Sequence, residues 1–437
     1  MVDALNEIKI LDPRITGKKL TSTVSFSPEL SKYLKTDTLT VEYDSEITAE
    51  ESLLNIPITA VVLPLAWLTE ADVYVKVLDK SFKGNMDELQ RYFKKMYPSL
   101  PCKTEIVTDE LIENTVGNLP LDRRTGLLFS GGIDSTYSLL CNLEKRPWLV
   151  MLWGSDNFAY PGRRNHWEKA IDVYRKQSQS LGLELMVVKT NVSQVLYDQK
   201  IGHDFHRILY NLPLRRALNH SMVLLPLAAP LSMGRFNSLL IASSGDSSFD
   251  YIKERYASGP EADEKIAWAD LKVTQDGQVY RDVKIREIGK HLDKGLTLRV
   301  CLRTSEEAAV KHGLLNDCSC EKCYRTIMNL IQEGIDPNLC GFKVDESTFK
   351  DMRRFMETEF IPHYNYYWGK IIQEIPENID VDMYGSKEFQ EYLQGYRLPE
   401  PKEPGLQKDI YYNLPFGLAD MLQKYIYNTL KIRIHST

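Results

Sequence analysis

The run at residues 130–136, Ser-Gly-Gly-Ile-Asp-Ser-Thr, combines residue types that can hold an anion. An apolar stretch at 126–129 precedes it and a helix-compatible stretch at 137–140 follows, which predicts a strand, a tight glycine turn and a helix. In such a turn, backbone N–H groups converge at a helix N-terminus, where the helix dipole favours negative charge. Gly131 and Gly132 let the main chain approach the anion without an intervening Cβ. The predicted phosphate ligands are the turn residues Ser130, Gly131, Gly132, Ser135 and Thr136.

The carboxylate within this run needs a different role, because it repels phosphate. Mg²⁺ prefers carboxylate and phosphate oxygens together, so we expect Asp134 to hold the magnesium of a bound nucleotide. The run lacks the Gly-x-x-x-x-Gly-Lys spacing of a Walker loop. The alternative is an ordinary glycine turn that joins a strand to a helix, and the seven matching residues with suitable flanks disfavour it.

Three cysteines lie within six residues near the end of the chain, at Cys318, Cys320 and Cys323. Cys301 closes an apolar run upstream of them. Four thiolates around one Zn²⁺ make a closed tetrahedral site, so we predict that these four cysteines bind zinc and stabilise the fold without taking part in chemistry. Buried free cysteines are the alternative, which the polar flanks disfavour, and Cys340 could replace one ligand.

Composition limits the classes of protein to consider. The 437 residues suffice for two or three domains, and the contents of 43% hydrophobic and 26% charged residues are typical of soluble globular proteins. A formal net charge of −6 gives no general attraction to nucleic acid or anionic membranes. Residues 1–10 do not resemble a signal peptide, and the most apolar run, 56–68, is too short to span a bilayer. We therefore expect a cytoplasmic protein with reduced thiols and no membrane partner.

Residues 1–120 are predicted to form a separate N-terminal α+β domain. Alternating or apolar strands are expected at 20–26, 39–43 and 71–77, and a helix at 85–96. No cluster of catalytic residue types stands out here. We therefore expect a domain that packs against the rest or covers a substrate.

Residues 121–300 alternate strand and helix patterns, which predicts a mainly parallel sheet. Helices are expected at 167–181 and at 217–233, the latter broken or kinked near Pro226 and Pro230. Strands are expected at 126–129, 147–153, 183–190 and 238–244. Ligands of such sheets bind beyond the carboxyl ends of the strands. The residues expected along that edge are Ser130, Gly154, Asn191 and Ser243.

Three further segments complete the predicted organisation. A polar loop at 244–268 would border the site, residues 301–340 would bind zinc, and residues 341–437 would form a helical appendage. The appendage is rich in aromatic residues, which either stack bases or, more commonly, belong to the core. They are Phe355, Phe360, Tyr364, Tyr366, Tyr367 and Trp368.

The glycine run resembles the SGGxDS pyrophosphate loop of the N-type ATP pyrophosphatases. Together with residues 241–244, 282–288, Cys301 and 318–326, it is similar to 7-cyano-7-deazaguanine synthase and its relatives. The resemblance covers about 126–334. Four cysteines bind zinc in that family, usually with CxxCxxC spacing. Here the first gap is one residue, so Cys318 is the weakest match.

The resemblance implies an α/β fold with a parallel-sheet PP-loop domain, similar to the adenine nucleotide alpha hydrolases. It also implies an ATP- and Mg²⁺-dependent reaction in which a carboxylate or amide oxygen attacks the α-phosphorus and pyrophosphate leaves. Ammonia or an amine then displaces AMP. Lys284 matches a lysine that neighbours the phosphates, so the implied catalytic residues are Ser130, Asp134 and Lys284. The implied nucleotide-binding residues are Ser130, Gly131, Gly132, Asp134, Ser135, Thr136, Gly154 and Lys284.

Enlarged relatives with an extra N-terminal domain occur in bacterial anti-phage operons, and this chain looks similar to them. The resemblance implies a small deazapurine substrate, or a protein or nucleic acid acceptor that receives a deazapurine. It also implies protein partners encoded in the same operon.

Several neighbouring residues have two open interpretations. Gly154 and Asp156 would lie near adenine or ribose, or form an ordinary loop, and Ser243 and Ser244 would contact substrate or simply pack. We expect His220 to be a structural histidine, although its position permits a substrate role. The two residues expected either to contact phosphate or to remain solvated are Arg281 and Arg286.

Two other functions remain open. The chain could be a nucleotide-binding subunit without turnover, although retention of a carboxylate facing phosphates argues against this. It could also be a tRNA-thiolating enzyme, which usually needs a catalytic cysteine near the site. Cys141 follows the glycine turn but is expected to point poorly.

Overall fold

One large mixed sheet runs through the chain in the computed structural model, which describes residues 6–117, 119–120, 124–155, 164–301, 315–400 and 411–422. Eleven strands form this sheet, and β6 and β8 form a separate parallel pair. The strands are β1 (Glu7–Ile10), β2 (Arg14–Thr16), β3 (Lys19–Phe26), β4 (Thr38–Tyr43), β5 (Asp72–Val75), β6 (Val77–Asp79), β7 (Ile106–Val107), β8 (Glu110–Ile112), β9 (Thr125–Leu128), β10 (Trp148–Trp153), β11 (Leu185–Thr190), β12 (Ser238–Ala242) and β13 (Lys272–Asp276).

Helices cover the sheet and form the C-terminal part of the described chain. They are α1 (Glu51–Leu54), α2 (Ile56–Thr69), α3 (Lys80–Met96), α4 (Ile133–Cys141), α5 (Arg164–Ser180), α6 (Asp198–Asp204), α7 (Ala229–Ser232), α8 (Pro260–Glu264), α9 (Arg281–Gly289), α10 (Glu321–Gln332), α11 (Glu346–Thr358), α12 (Asn365–Gln373) and α13 (Ser386–Gln394). Among these described helices, none combines the length and the apolar character needed to cross a membrane.

The parallel half of the sheet has the strand order β13-β12-β9-β10-β11. Its inner strands are apolar, with β9 wholly buried and the central residues of β10 and β12 buried, as expected of parallel strands covered on both faces. The chain passes from β9 to β10 on one side and later returns to β12 on the other. The strand order therefore reverses at β9, and the α/β class and the parallel sheet predicted for this part are confirmed.

The N-terminal strands extend the same sheet. β4 pairs antiparallel with β11, with Tyr43 opposite Val188, and the order continues through β3, β1, β5 and β7. β3 alternates buried and exposed side chains, as its sequence predicts. The Tyr43 hydroxyl donates to the carbonyl of Leu227 at 3.2 Å inside the core shared by both parts. The sheet is thus continuous across residue 120, and the division into domains there stays a prediction.

The helix predicted at 217–233, broken or kinked near Pro226 and Pro230, is a series of short helical turns that ends in α7. The two prolines lack N–H donors and clash with the preceding turn, in agreement with the expected break. The apolar run at 56–68 forms the buried helix α2, which accommodates one proline in its first turn and contains Pro64. The predicted loop at 244–268 includes the short helix α8.

The C-terminal helices α10 to α13 enclose a second apolar core. Phe355 and Trp368 are buried in it, in agreement with the expectation that most aromatic residues of this segment are core residues. Tyr366 and Tyr367 differ, because they remain 65% and 38% exposed on α12. The described residues after 341 are thus largely helical, and the appendage as a separate unit stays a prediction.

Candidate functional site

The glycine turn lies between the end of β9 and the start of α4, as the sequence predicts. Gly132 is the N-terminal capping residue of α4, and Gly131 has φ +73°. A Cβ at Gly131 would lie 1.9 Å from the Tyr174 hydroxyl oxygen, so both the backbone conformation and the lack of space require glycine.

The carbonyl oxygens of the turn are held from outside. The Arg299 backbone N–H donates to Gly131 O at 2.7 Å, and Arg299 Nε donates to Ser130 O at 3.0 Å. The Tyr174 hydroxyl also donates to Gly131 O, at 3.4 Å. These contacts occupy carbonyl oxygens that would otherwise repel an anion. Arg299 is a site residue that the sequence analysis missed, because nothing in the local pattern links it to a turn 169 residues away.

The hydroxyls of the turn are arranged unequally. Ser135 Oγ accepts from the Ser130 backbone N–H and lies 3.2 Å from Ser130 Oγ, which in turn accepts from the Gly132 N–H. Two predicted phosphate ligands therefore contact each other inside the turn. Thr136, in the first turn of α4, is only 1% exposed, so its side chain is buried in the protein interior.

Three segments that are far apart in the sequence contact one another through the buried side chain of Lys284. Lys284 of α9 has a side chain only 2% exposed, and its Nζ donates to Asp134 Oδ1 at 2.7 Å and to Ser243 O at 2.6 Å. Burial would raise the pKa of Asp134, but the charges of Lys284 and Arg281 outweigh it and hold that pKa below its usual value. Asp134 is therefore ionised, and its side chain remains 34% exposed beside the turn.

The two candidate arginines, Arg281 and Arg286, have different partners. Arg281, at the start of α9, is directed to α10, where Nε donates to Asn329 Oδ1 at 3.0 Å and Nη2 to Thr326 Oγ1 at 2.8 Å. Arg286 is 53% exposed and pairs with acidic side chains on its solvent side, at distances of 2.6 and 3.4 Å. Of these two arginines, Arg281 is the one whose charge helps to lower the pKa of Asp134, after that of Lys284.

The remaining strand-end residues have structural contacts. Gly154 has φ +95°, and a Cβ there would lie 1.6 Å from Thr190 O, so close packing at the end of β10 requires this glycine. The Asn191 side chain bonds the β4 backbone at 2.8 and 2.9 Å. Ser243 is buried, with its hydroxyl 3.0 Å from that of Tyr251.

The remaining candidate residues from the sequence are His220, Ser244, Cys141 and Asp156. His220 is partly buried and packs 6.0 Å from the Tyr256 ring, between centroids. A hydrogen bond with Ser244 opposes the rise in the pKa of Tyr256 that burial causes. Burial raises the pKa of Cys141 at the far end of α4, so this thiol is not activated. Asp156 lies outside the described residues.

A metal-ligand cluster is present at the start of α10. It consists of Cys301, Asp317, Cys320 and Cys323, whose ligand atoms all lie within 4.8 Å of one another. Cys320 Sγ lies 3.8 Å from Cys301 Sγ and 3.5 Å from Cys323 Sγ, and Cys323 Sγ lies 3.4 Å from Asp317 Oδ1. The three cysteines are at most 3% exposed. These four side chains could hold a metal ion.

Asp317, rather than Cys318, completes the cluster. Cys318 has φ +53°, and its Sγ accepts a hydrogen bond from the Lys343 backbone N–H at 3.3 Å. Asp317 Oδ1 accepts from the backbone N–H groups of Ser319 and Cys320, which fixes the carboxylate at the helix N-terminus. In the sequence, the signal for this ligand is the carboxylate that directly precedes Cys318, which a prediction from thiol spacing alone leaves out. Cys340 is buried and is not in the cluster.

One segment joins the cluster to the glycine turn. Arg299 holds the turn and Cys301 is a cluster ligand, with a single residue between them. The Asn316 side chain accepts from the Cys301 backbone N–H at 3.3 Å and donates to Leu298 O at 2.8 Å. The two candidate sites therefore share a backbone segment that is bonded on both sides.

Replacing Lys284 with methionine tests the buried ion pair. We expect the free energy of unfolding to fall by about 2 kcal/mol at neutral pH, because Asp134 loses its cation while remaining partly solvated. The pKa of Asp134 is lowered in the folded state, so the pair stabilises the fold above the ordinary aspartate range. The difference from the wild type should shrink as the pH falls through that lowered pKa.

Urea unfolding at several pH values measures this effect. The matched control is Lys290→Met, at a residue 68% exposed on the same helix, which should change stability by less than about 0.5 kcal/mol. Equal effects of the two substitutions would contradict a special role for Lys284.

The metal content of single-residue variants distinguishes a site of three cysteines and Asp317 from a site of four cysteines that includes Cys318. We expect Cys323→Ser to abolish metal binding and Asp317→Asn to weaken it at least tenfold, whereas Cys318→Ser should retain the metal. Elemental analysis and chelator competition measure this. Loss of metal in Cys318→Ser together with retention in Asp317→Asn would instead support a four-cysteine site.

Comparisons with known proteins add no family assignment to this geometry. No family model, no curated protein and no solved structure matches the chain. The glycine turn, the buried Lys284 and the cysteine cluster are the features that bear on function.

Proposed function

We propose that the protein is an ATP-dependent adenylating enzyme of the N-type ATP pyrophosphatase kind. It would activate a carboxylate or amide oxygen by transfer of AMP and release pyrophosphate. The observation that carries the proposal is the meeting of the glycine turn, Asp134 and Lys284 at the carboxyl ends of β9 and β12. A buried lysine, an ionised carboxylate and a helix N-terminus at one point form a set suited to Mg²⁺ and phosphates.

The position of this point in the sheet supports the proposal. In open α/β sheets, ligands bind in the crevice where the strand order reverses. Here the reversal lies between β9 and β12, and Lys284 crosses it by contacting Asp134 after β9 and Ser243 after β12. The crevice predicted by topology and the charged cluster therefore coincide.

Each residue has a definite electrostatic role in this proposal. The N–H groups of the turn and Lys284 would stabilise charge that builds on the β- and γ-phosphates as pyrophosphate leaves. Asp134 would hold Mg²⁺ against the same phosphates. A substrate oxygen forms the new bond to the α-phosphorus while the bond to the β-phosphate oxygen breaks, so no protein nucleophile is needed.

The substrate assignment rests on the resemblance of the motifs. A 7-deazapurine carboxylate is the proposed substrate, and ammonia or an amine would displace AMP in the second step. An amine on a protein or nucleic acid would make the product a conjugate, as would suit an anti-phage function.

The cysteine cluster would hold a structural Zn²⁺. Tetrahedral ligands at the usual Zn–S distance of about 2.3 Å lie roughly 3.8 Å apart. The sulfur–sulfur distances of 3.5 and 3.8 Å agree with this spacing. Zinc would fasten Cys301, and with it the segment that holds the glycine turn, without an open coordination position for chemistry.

Pyrophosphate release tests the proposed reaction. The full chain is incubated with ATP, Mg²⁺ and 7-deazapurine carboxylates, and the products are identified by mass spectrometry. We expect release with the wild type and a loss of at least about 100-fold with Asp134→Ala, because the metal and phosphate positions depend on it.

The control is Asp293→Ala, at an exposed position outside the site, which should leave the rate unchanged. Nucleotide binding without release of pyrophosphate or AMP by the wild type would contradict the enzyme and favour a non-catalytic nucleotide-binding subunit.

A further inference from the structure

Arg281 and Arg325, two arginines at the contact between α9 and α10, have no role in the reaction described above. Arg281 is anchored to α10 through Thr326 and Asn329. Arg325 precedes Thr326 on that helix, one residue from a side chain that Arg281 contacts. Burial and the charge of Arg325 lower the pKa of Arg281 to about 10, which is consistent with this proximity.

Arg325 is enclosed and incompletely bonded. The residue is 7% exposed, and its Cζ lies 3.7 Å from the centroid of the Tyr367 ring on α12. Its Nε lies 3.6 Å from Glu321 Oε1, which is too long for a good hydrogen bond. Nε and Nη1 are buried without a hydrogen-bond partner among the described residues. Buried donors of this kind cost free energy unless an acceptor reaches them.

Positive charge exceeds negative charge at this point. Asp134 already bonds Lys284, and Glu321 accepts a hydrogen bond from Trp368 Nε1 at 3.1 Å. Lys284, Arg281, Arg325 and Lys322 supply four positive charges around these two carboxylates. An incoming anion would therefore meet an excess of positive charge.

An aromatic surface adjoins the arginines. Tyr367 stacks on Arg325 and is 38% exposed, and Tyr366 beside it is 65% exposed. Arg325 also helps to lower the pKa of His363, together with burial and Arg216. Arg216 in turn lies 5.9 Å from the Tyr256 ring centroid. Flat rings and planar guanidinium groups together suit a flat ligand that carries an anionic group.

We propose that Arg281 and Arg325, covered by Tyr367, form an oxyanion subsite distinct from the glycine turn that binds the carboxylate of a flat heteroaromatic substrate. The inference deepens the proposed function and rests on it, because this carboxylate is the group that would be adenylated. The C-terminal helices thereby contribute directly to substrate binding through α12. The other source of an oxyanion is the outer phosphates of ATP, and the experiment separates the two.

Calorimetric titration of the full chain uses three probes: 7-carboxy-7-deazaguanine, 7-deazaguanine without the carboxylate, and Mg²⁺ with the uncleavable α,β-methylene-ATP. We expect the wild type to bind the carboxylate at least tenfold more tightly than 7-deazaguanine. Arg325→Gln should remove that preference and change nucleotide affinity less than twofold, and Arg325→Lys should keep part of it.

The matched control is Arg353→Gln, at a residue 50% exposed on α11, which should change none of the three affinities. Tyr367→Leu, at a partly exposed position, should weaken carboxylate binding at least threefold and keeps the proposal testable if Arg325→Gln does not fold. Weakened binding of the nucleotide alone in Arg325→Gln would assign the subsite to phosphate and overturn the carboxylate assignment.

The failure of each proposal has its own signature. A wild type that does not prefer the carboxylate, or an Arg325→Gln variant that binds every probe as the wild type does, overturns the subsite. A wild type that does not bind the nucleotide overturns the proposed function, while the comparison of the two deazaguanines still decides the subsite.

Discussion

The burial of one ammonium group sets the arrangement of the candidate site. Lys284 is removed from water, and Asp134 and the Ser243 carbonyl pair its ammonium group at 2.7 and 2.6 Å. An unpaired charge in such a place would cost several kcal/mol. The requirement to pair it fixes α4, the end of β12 and α9 relative to one another. The glycine turn, which begins α4, is placed by the same constraint.

A second constraint comes from the segment between the turn and the cysteine cluster. Arg299 holds the Ser130 and Gly131 carbonyls, and Cys301 is fastened in the cluster two positions later. Asn316 bonds this segment from the opposite side. Order in the cluster is thus transmitted to the turn through backbone contacts over a very short distance. A metal held by the cluster would therefore act on the geometry of the glycine turn through this segment.

The parts of the fold that could be predicted depend on local pattern. Strands such as β3 and β10 follow from alternation or from apolar runs, and the glycine turn follows from seven adjacent residues. β13 was missed because its sequence, Lys-Val-Thr-Gln-Asp, carries little apolar signal at the edge of the sheet. Other features arise from contacts and backbone angles that local spacing does not encode. They are the surroundings of Arg299 and Arg325, and the presence of Asp317 instead of Cys318 in the cysteine cluster.

The Tyr174 hydroxyl, which occupies the space a side chain at Gly131 would need, also restricts how the turn can change over evolutionary time. No single substitution at 131 is sterically admissible while the tyrosine remains. Loss of the tyrosine alone removes its hydrogen bonds to Gly131 O and Thr297 O. A change at either position is therefore unfavourable while the other is unchanged. Even after both had mutated, the left-handed backbone at 131 would still select against most amino acids.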